Sequence, residues 1–203
     1  MLEKIIAILA TWIMGVISSL GYSGVVLLMA IESACIPLPS EIIMPFAGFL
    51  VFKGEMTLWG VAFAGALGCV VGSIPAYYLG MYGGRPLVEK YGKWVLISHK
   101  DLNWADKAFE KHGEIIIFIG RLLPAVRTFI AFPAGVARMN MTKFVAYTFV
   151  GSLIWCYLLA LAGFKMGENW ESLKVYFHEF HYVIAVAGAV FVIWYLRRHF
   201  KNN

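Results

Sequence analysis

Four charged residues interrupt the apolar runs of this chain, in two pairs of like sign with proline between the members. Glu32 and Glu41 bracket Pro37 and Pro39 in Glu32-Ser33-Ala34-Cys35-Ile36-Pro37-Leu38-Pro39-Ser40-Glu41. Arg121 and Arg127 bracket Pro124 in Arg121-Leu122-Leu123-Pro124-Ala125-Val126-Arg127. A guanidinium is a planar fork of donors that fits the oxygens of a phosphate. A carboxylate partly withdrawn from water is suited to taking up protons. The pattern therefore offers two phosphate clamps and two proton-coupling or ion-pair carboxylates. A helix N-terminus beside the arginines would add donors for an anion. The competing structural role is a set of buried ion pairs stapling the two segments, and such pairs alone are weak evidence of function.

These charges demand a particular backbone. At bilayer depth a charged side chain costs about 2.5–3.5 kcal/mol on insertion scales. In an unbroken helix, residues nine apart fall on roughly opposite faces and residues six apart lie roughly 120° from each other. One member of each pair would then face lipid. Breaks at Pro37, Pro39 and Pro124, with Gly48 and Gly135 as further hairpin breaks, relieve this by letting both members turn toward one cavity. Irregular backbone at membrane depth is tolerated where it is buried or lines water, so each segment is expected to be a re-entrant hairpin.

The medium is set by composition. Of 203 residues, 61% are hydrophobic and 14% charged, with a mean hydropathy of +0.74. Soluble domains run at about 45–50% apolar and about 25% charged, and so short a chain cannot hide the excess in a core. That excludes a soluble enzyme, a nucleic-acid-binding module and a disordered regulator. The net charge of +5 fits cytoplasmic loops and anionic lipid. Cys35, Cys69 and Cys156 are scattered through apolar stretches and suggest neither a disulfide framework nor a metal site. His99, His112, His178, His181 and His199 lie outside the charged segments, so no metal or catalytic set is expected.

Along the chain, residues 1–31 are read as N-terminal helices broken at Gly21-Tyr22-Ser23-Gly24, spanning the membrane or lying at its surface; a cleaved leader is the lesser alternative for their first half. Residues 32–84 form the first hairpin and its helix, with Gly60, Gly65, Gly68, Gly72 and Ser73 permitting close helix approach and Pro75 a kink. Residues 85–114 read as a cytoplasmic linker. Ser98-His99-Lys100-Asp101 matches a capping box, Leu102, Ala105, Phe109 and His112 follow at helical spacing, and Gly113 ends the helix. Residues 115–167 form the second hairpin and helix, with 21 uncharged residues at 144–164 where about 20 cross a bilayer. Residues 168–203 supply a C-terminal span at 180–196 and the basic tail Arg197-Arg198-His199-Phe200-Lys201, which places the C-terminus in the cytoplasm. Arg138 and Lys143 are read as marking the membrane surface, and Trp and Tyr near segment ends as interfacial anchors.

The two hairpins look like copies. Pro37 and Pro124 lie 87 residues apart, as do Gly48 and Gly135. Pro45-Phe46-Ala47-Gly48 echoes Pro133-Ala134-Gly135, and Met56-Thr57 echoes Met141-Thr142 at 85 residues. With residues 85–114 cytoplasmic, the copies enter from opposite sides. An inverted repeat with a site near the midplane is a common transporter design. The expected fold is an all-α polytopic membrane protein built on that repeat, with added N- and C-terminal helices.

The residues Glu32…Pro37-Leu38-Pro39-Ser40-Glu41…Ala47-Gly48 and Phe118-Ile119-Gly120-Arg121-Leu122-Leu123-Pro124-Ala125-Val126-Arg127-Thr128…Pro133-Ala134-Gly135 closely resemble the DedA family, also called SNARE-associated or VTT-domain proteins. The resemblance covers roughly residues 21–167; the family often carries an aromatic where Leu122 stands. It implies lipid transport across the plasma (inner) membrane, of undecaprenyl phosphate or of phosphatidylethanolamine, tied to proton motive force and envelope stress. Carried over by position, the family's essential acidic residues fall on Glu32 and Glu41 and its essential arginines on Arg121 and Arg127.

Three functions compete on the residues. A lipid-phosphate translocase uses the arginines; a proton-coupled exporter of small cations would use the glutamates and has no need of the arginines beyond charge balance. An intramembrane enzyme lacks a recognisable nucleophile–His–acid set, HExxH or Walker motif. Undecaprenyl phosphate leads because two guanidiniums suit a phosphomonoester, with a phosphatidylethanolamine flippase or scramblase behind it. The expected partners are membrane lipid and protons, without cofactor, metal or nucleic acid; homo-oligomerisation is left open.

Overall fold

The computed structural model describes residues 2–34, 38–83, 109 and 113–168, and among these all regular structure is helical. In order they are α1 Leu2–Leu20, α2 Tyr22–Ser33, α3 Ser40–Phe52, α4 Leu58–Tyr78 with a π-helical turn Leu79–Gly83, α5 Ile115–Arg121, α6 Pro124–Arg127, α7 Ala131–Val136 and α8 Met141–Glu168. Pro37, the linker helix expected near 98–113 apart from its end, the span at 180–196 and the basic tail lie outside the described residues. Of that linker helix, Phe109 is helical, and Gly113 donates its N–H to the Phe109 carbonyl at 2.8 Å with φ 60°. That left-handed backbone suits glycine at a helix end.

Among the described residues two helices are long and apolar enough to cross a bilayer, Leu58–Gly83 and Met141–Gly167. Thr57 caps α4 by accepting from the Gly60 N–H at 3.2 Å, and Asn140 caps α8 by accepting from Thr142 and Lys143. The equivalent cap positions are thus 83 residues apart, and the Met-Thr echo at 85 is offset from them by two. The α4 helix runs on through Pro75 and widens only afterwards, at the π-helical turn.

Each long helix has a greasy outer stripe. Trp59 (59% exposed), Phe63 (49%), Leu67 (50%) and Val71 (50%) recur every four residues on α4, and Val150, Ile154 and Leu158 do so on α8. A contiguous apolar surface of this kind is a liability in water and ordinary against lipid. Trp59 packs on Tyr157 with centroids 4.8 Å apart, and Phe63 on Phe149 at 5.8 Å, tying the two stripes together.

The inner faces are held by glycine. A methyl on Gly48 of α3 would collide with the Ala160 carbonyl, and one on Gly163 with the Pro45 carbonyl. The same pair of contacts recurs elsewhere: Gly135 of α7 meets the Tyr77 carbonyl, and Gly80 meets that of Phe132. Gly48 and Pro45 are each 87 residues before Gly135 and Phe132, while Tyr77 and Gly80 are each 83 before Ala160 and Gly163. The helix α3 therefore packs on α8, and α7 on the end of α4 and its π-helical turn. Small residues permit such approach where no water drives helices together. Two apolar clusters result, one around Leu28, Met29, Met44, Ala47 and Cys156, the other around Tyr77, Ile117, Ile130 and Phe144.

Candidate functional site

The short helices α5 and α6 supply the arginines. Arg121 closes α5, Leu122 and Leu123 break the helix, and Pro124 starts α6 at its first position, where proline lacks only an N–H that would be unpaired anyway. Leu123 is extended (φ −104°, ψ 118°), as the residue before proline prefers. This break lets both guanidiniums turn inward: Arg121 is 1% exposed and Arg127 2%. The expectation from the charge spacing holds for this pair.

Both arginines are engaged. Arg121 Nη1 donates to the Arg127 carbonyl at 2.9 Å, and its Nη2 to Ser73 Oγ of α4 at 2.6 Å. Ser73 Oγ in turn donates to the Cys69 carbonyl at 2.5 Å. Arg127 Nη2 reaches Glu32 Oε2 at 3.4 Å and Cys69 Sγ at 3.5 Å. The guanidinium carbon of Arg127 lies 5.4 Å from the centroid of the Trp155 ring on α8, within cation–π range.

Glu32 joins them from α2. It sits in the last turn of α2 and is 4% exposed. Ser33 Oγ donates to its Oε2 at 3.1 Å and Thr128 Oγ1 to its Oε1 at 3.4 Å. Charge-assisted N–H···O bonds are usually about 2.7–2.9 Å, so the single Arg127–Glu32 contact is a loose one. Glu41 is not brought into this cluster. It lies exposed in the first turn of α3, where the helix dipole favours a carboxylate, and accepts from Ser40 Oγ at 3.4 Å. Of the residues expected to break the two segments, Pro39 caps α3 and Pro124 opens α6, whereas Gly48 and Gly135 lie inside α3 and α7 and make the close packing described above.

The sequence did not single out Thr128 or Trp155, nor a polar role for Ser33, Ser73 or Cys69. Ser73 was legible only as a small residue, and Trp155 only as one aromatic inside a span. Arg138 is exposed with φ 49°, and Lys143 pairs with Glu114 at 2.7 Å, also toward solvent.

Chemically the cluster combines one carboxylate with two guanidiniums, an excess of positive donors among buried side chains from α2, α4, α5, α6 and α8. Such a site suits an anion that can displace or share Arg127 with Glu32.

A VTT domain model matches residues 38–165. The "Uncharacterized membrane protein YkoX" of Bacillus subtilis (strain 168) is 39% identical over 186 residues, 91% of this chain and 82% of its own. The "Undecaprenyl phosphate transporter A" of the same organism is 33% identical over 171 residues, 84% of this chain and 82% of its own. An "Alkaline phosphatase-like protein" of Lactococcus lactis subsp. cremoris (strain MG1363) is 32% identical over 201 residues, covering 94% of each. No solved structure matches the chain significantly.

Proposed function

This chain belongs to the VTT-domain (DedA) family of membrane proteins, and we propose that it is a carrier, not an enzyme, that moves undecaprenyl phosphate across the plasma membrane. The observation that carries the reading is the buried Arg127, held by one loose contact to Glu32 beside a second buried arginine. The relative named undecaprenyl phosphate transporter A supports a phosphate-headed lipid as cargo.

In this reading Arg121 and Arg127 are the phosphate-binding pair, with Arg121 holding the turn that presents Arg127. Glu32 competes with the lipid phosphate for Arg127. Protonation of Glu32 weakens that competition, which links cargo loading to the proton gradient. Glu41, exposed at the start of α3, is the second proton-coupling carboxylate and acts from the rim.

The architecture we infer is one membrane unit with an inverted repeat, residues 32–84 and 115–167, joined by a cytoplasmic linker at 85–114. The 12-residue α2 and 13-residue α3 each rise about 18–20 Å, short of the roughly 30 Å hydrocarbon core, which supports re-entrant hairpins. The doubled contacts of Gly48 with Ala160 and Gly135 with Tyr77 support the repeat. The C-terminus lies in the cytoplasm.

Reconstitution into liposomes carrying undecaprenyl phosphate, followed by its accessibility in each leaflet, tests the reading. Protein-dependent movement of that lipid is expected. Movement of phosphatidylethanolamine alone reassigns the cargo, and cation flux without lipid movement favours an exporter. Release of inorganic phosphate would instead favour the activity in the lactococcal relative's name.

A further inference from the structure

The α8 helix carries polar atoms that the cluster above leaves unused. Thr148, Ser152 and Trp155 lie at i, i+4 and i+7, within an arc of roughly 60° on one helix face. Gly151 of that same face abuts the Arg121 side chain, and the Trp155 ring faces Arg127. The face is therefore turned toward the arginines.

Thr148 is 0% and Ser152 1% exposed, yet among the described residues neither hydroxyl has a hydrogen-bond partner, nor has the buried Trp155 Nε1. Nη1 of Arg127, whose guanidinium lies over the Trp155 ring, is likewise unpartnered. Helical Ser and Thr commonly bond back to the carbonyl four residues earlier, as Ser19 does to Gly15 and Ser73 to Cys69. Thr148 and Ser152 do not. A buried indole N–H also usually finds an acceptor. Three unsatisfied groups on one face of α8, with a fourth on the guanidinium beside Trp155, call for a common explanation.

Their chemistry narrows the occupant. Guanidinium and indole N–H groups donate and cannot accept; the two hydroxyls can do either. A cation finds no acceptor in Trp155 or Arg127. A ligand rich in acceptors and negative charge satisfies all four.

We propose that Thr148, Ser152 and Trp155 form the second wall of the phosphate site, completing on α8 the cradle that Arg127 begins. This rests on the reading of the cargo as a lipid phosphate. Arg127 supplies charge, and the α8 groups supply neutral donors to the remaining terminal oxygens.

The test is binding of undecaprenyl phosphate to the purified full chain by native mass spectrometry, with undecaprenol as the neutral control. The thermal midpoint of each variant is measured in parallel. Ser152→Ala, Thr148→Val and Trp155→Phe are each expected to weaken binding about tenfold, the scale of a hydrogen bond to a charged group. Trp155→Phe keeps an aromatic ring against Arg127, so its effect isolates the N–H. Ser152→Ala and Thr148→Val should leave the midpoint unchanged or raised, because they delete buried hydroxyls without partners. Unchanged binding in all three variants, with binding lost in Arg127→Ala, overturns the second wall and leaves the phosphate reading standing. Binding in Arg127→Ala equal to that of the wild type, or wild-type binding of undecaprenol as tight as of the phosphate, overturns the phosphate reading itself.

Discussion

Arg121 Nη1 donates to the backbone carbonyl of Arg127 at 2.9 Å, so one arginine of the pair fixes the turn that carries the other. Its second contact, to Ser73 at 2.6 Å, fastens that turn to the long helix α4. The two arginines are therefore unequal. Arg121→Lys keeps the charge and loses the fork that spans both acceptors. We expect it to lower both thermal stability and transport, whereas Arg127→Lys lowers transport more than stability. Paired melting and flux measurements on the two variants check this; equal loss of stability in both would contradict the division of roles.

Ser73→Ala removes the Arg121 contact and leaves a buried charged donor short of an acceptor. The expected loss is about 1.5–3 kcal/mol, the scale of a hydrogen bond to a charged group. Chemical denaturation in detergent reads it directly. A loss under about 0.5 kcal/mol, typical of a neutral surface change, would mean that the brace is not stabilising.

Gly48→Ala is expected to cost about 1–3 kcal/mol or more by overpacking against the Ala160 carbonyl. Gly135→Ala should behave alike, since it meets the Tyr77 carbonyl in the matching contact. Gly15→Ala on α1 has open space around it and should gain up to about 1 kcal/mol of helix propensity. The order of the three thermal midpoints tests the packing scheme.

Much of this was readable in the sequence, for physical reasons. The two long helices followed from uninterrupted apolar runs, and the inward turn of Arg121 and Arg127 from a six-residue spacing that no straight helix could bury. Equal spacing to the prolines marked Gly48 and Gly135 as a pair, but as hairpin breaks; their place inside α3 and α7 against a carbonyl was not legible. The unequal fates of Glu32 and Glu41 did not, because the spacing treats them alike. What separates them is local: Glu32 ends α2 facing Thr128, while Glu41 begins α3 beside its own Ser40. The α8 face was hidden too, since a Thr and a Ser inside an apolar span usually bond to their own helix and announce nothing.

Glu32→Gln leaves Arg127 buried without its counter-charge, which for a buried pair costs about 3–5 kcal/mol. A bound lipid phosphate restores a negative partner. The variant should melt lower than the wild type alone, and saturating undecaprenyl phosphate should raise its midpoint more than the wild type's. Equal ligand-induced shifts would show that the carboxylate and the phosphate do not share Arg127.

The most direct measurement is leaflet exchange of undecaprenyl phosphate in liposomes, with and without a pH gradient, for the wild type, Glu32→Gln and Arg127→Ala. The account predicts gradient-responsive exchange in the wild type, a weakened response to the gradient in Glu32→Gln, and no exchange above protein-free liposomes in Arg127→Ala. Exchange by Arg127→Ala at the wild-type rate would contradict it.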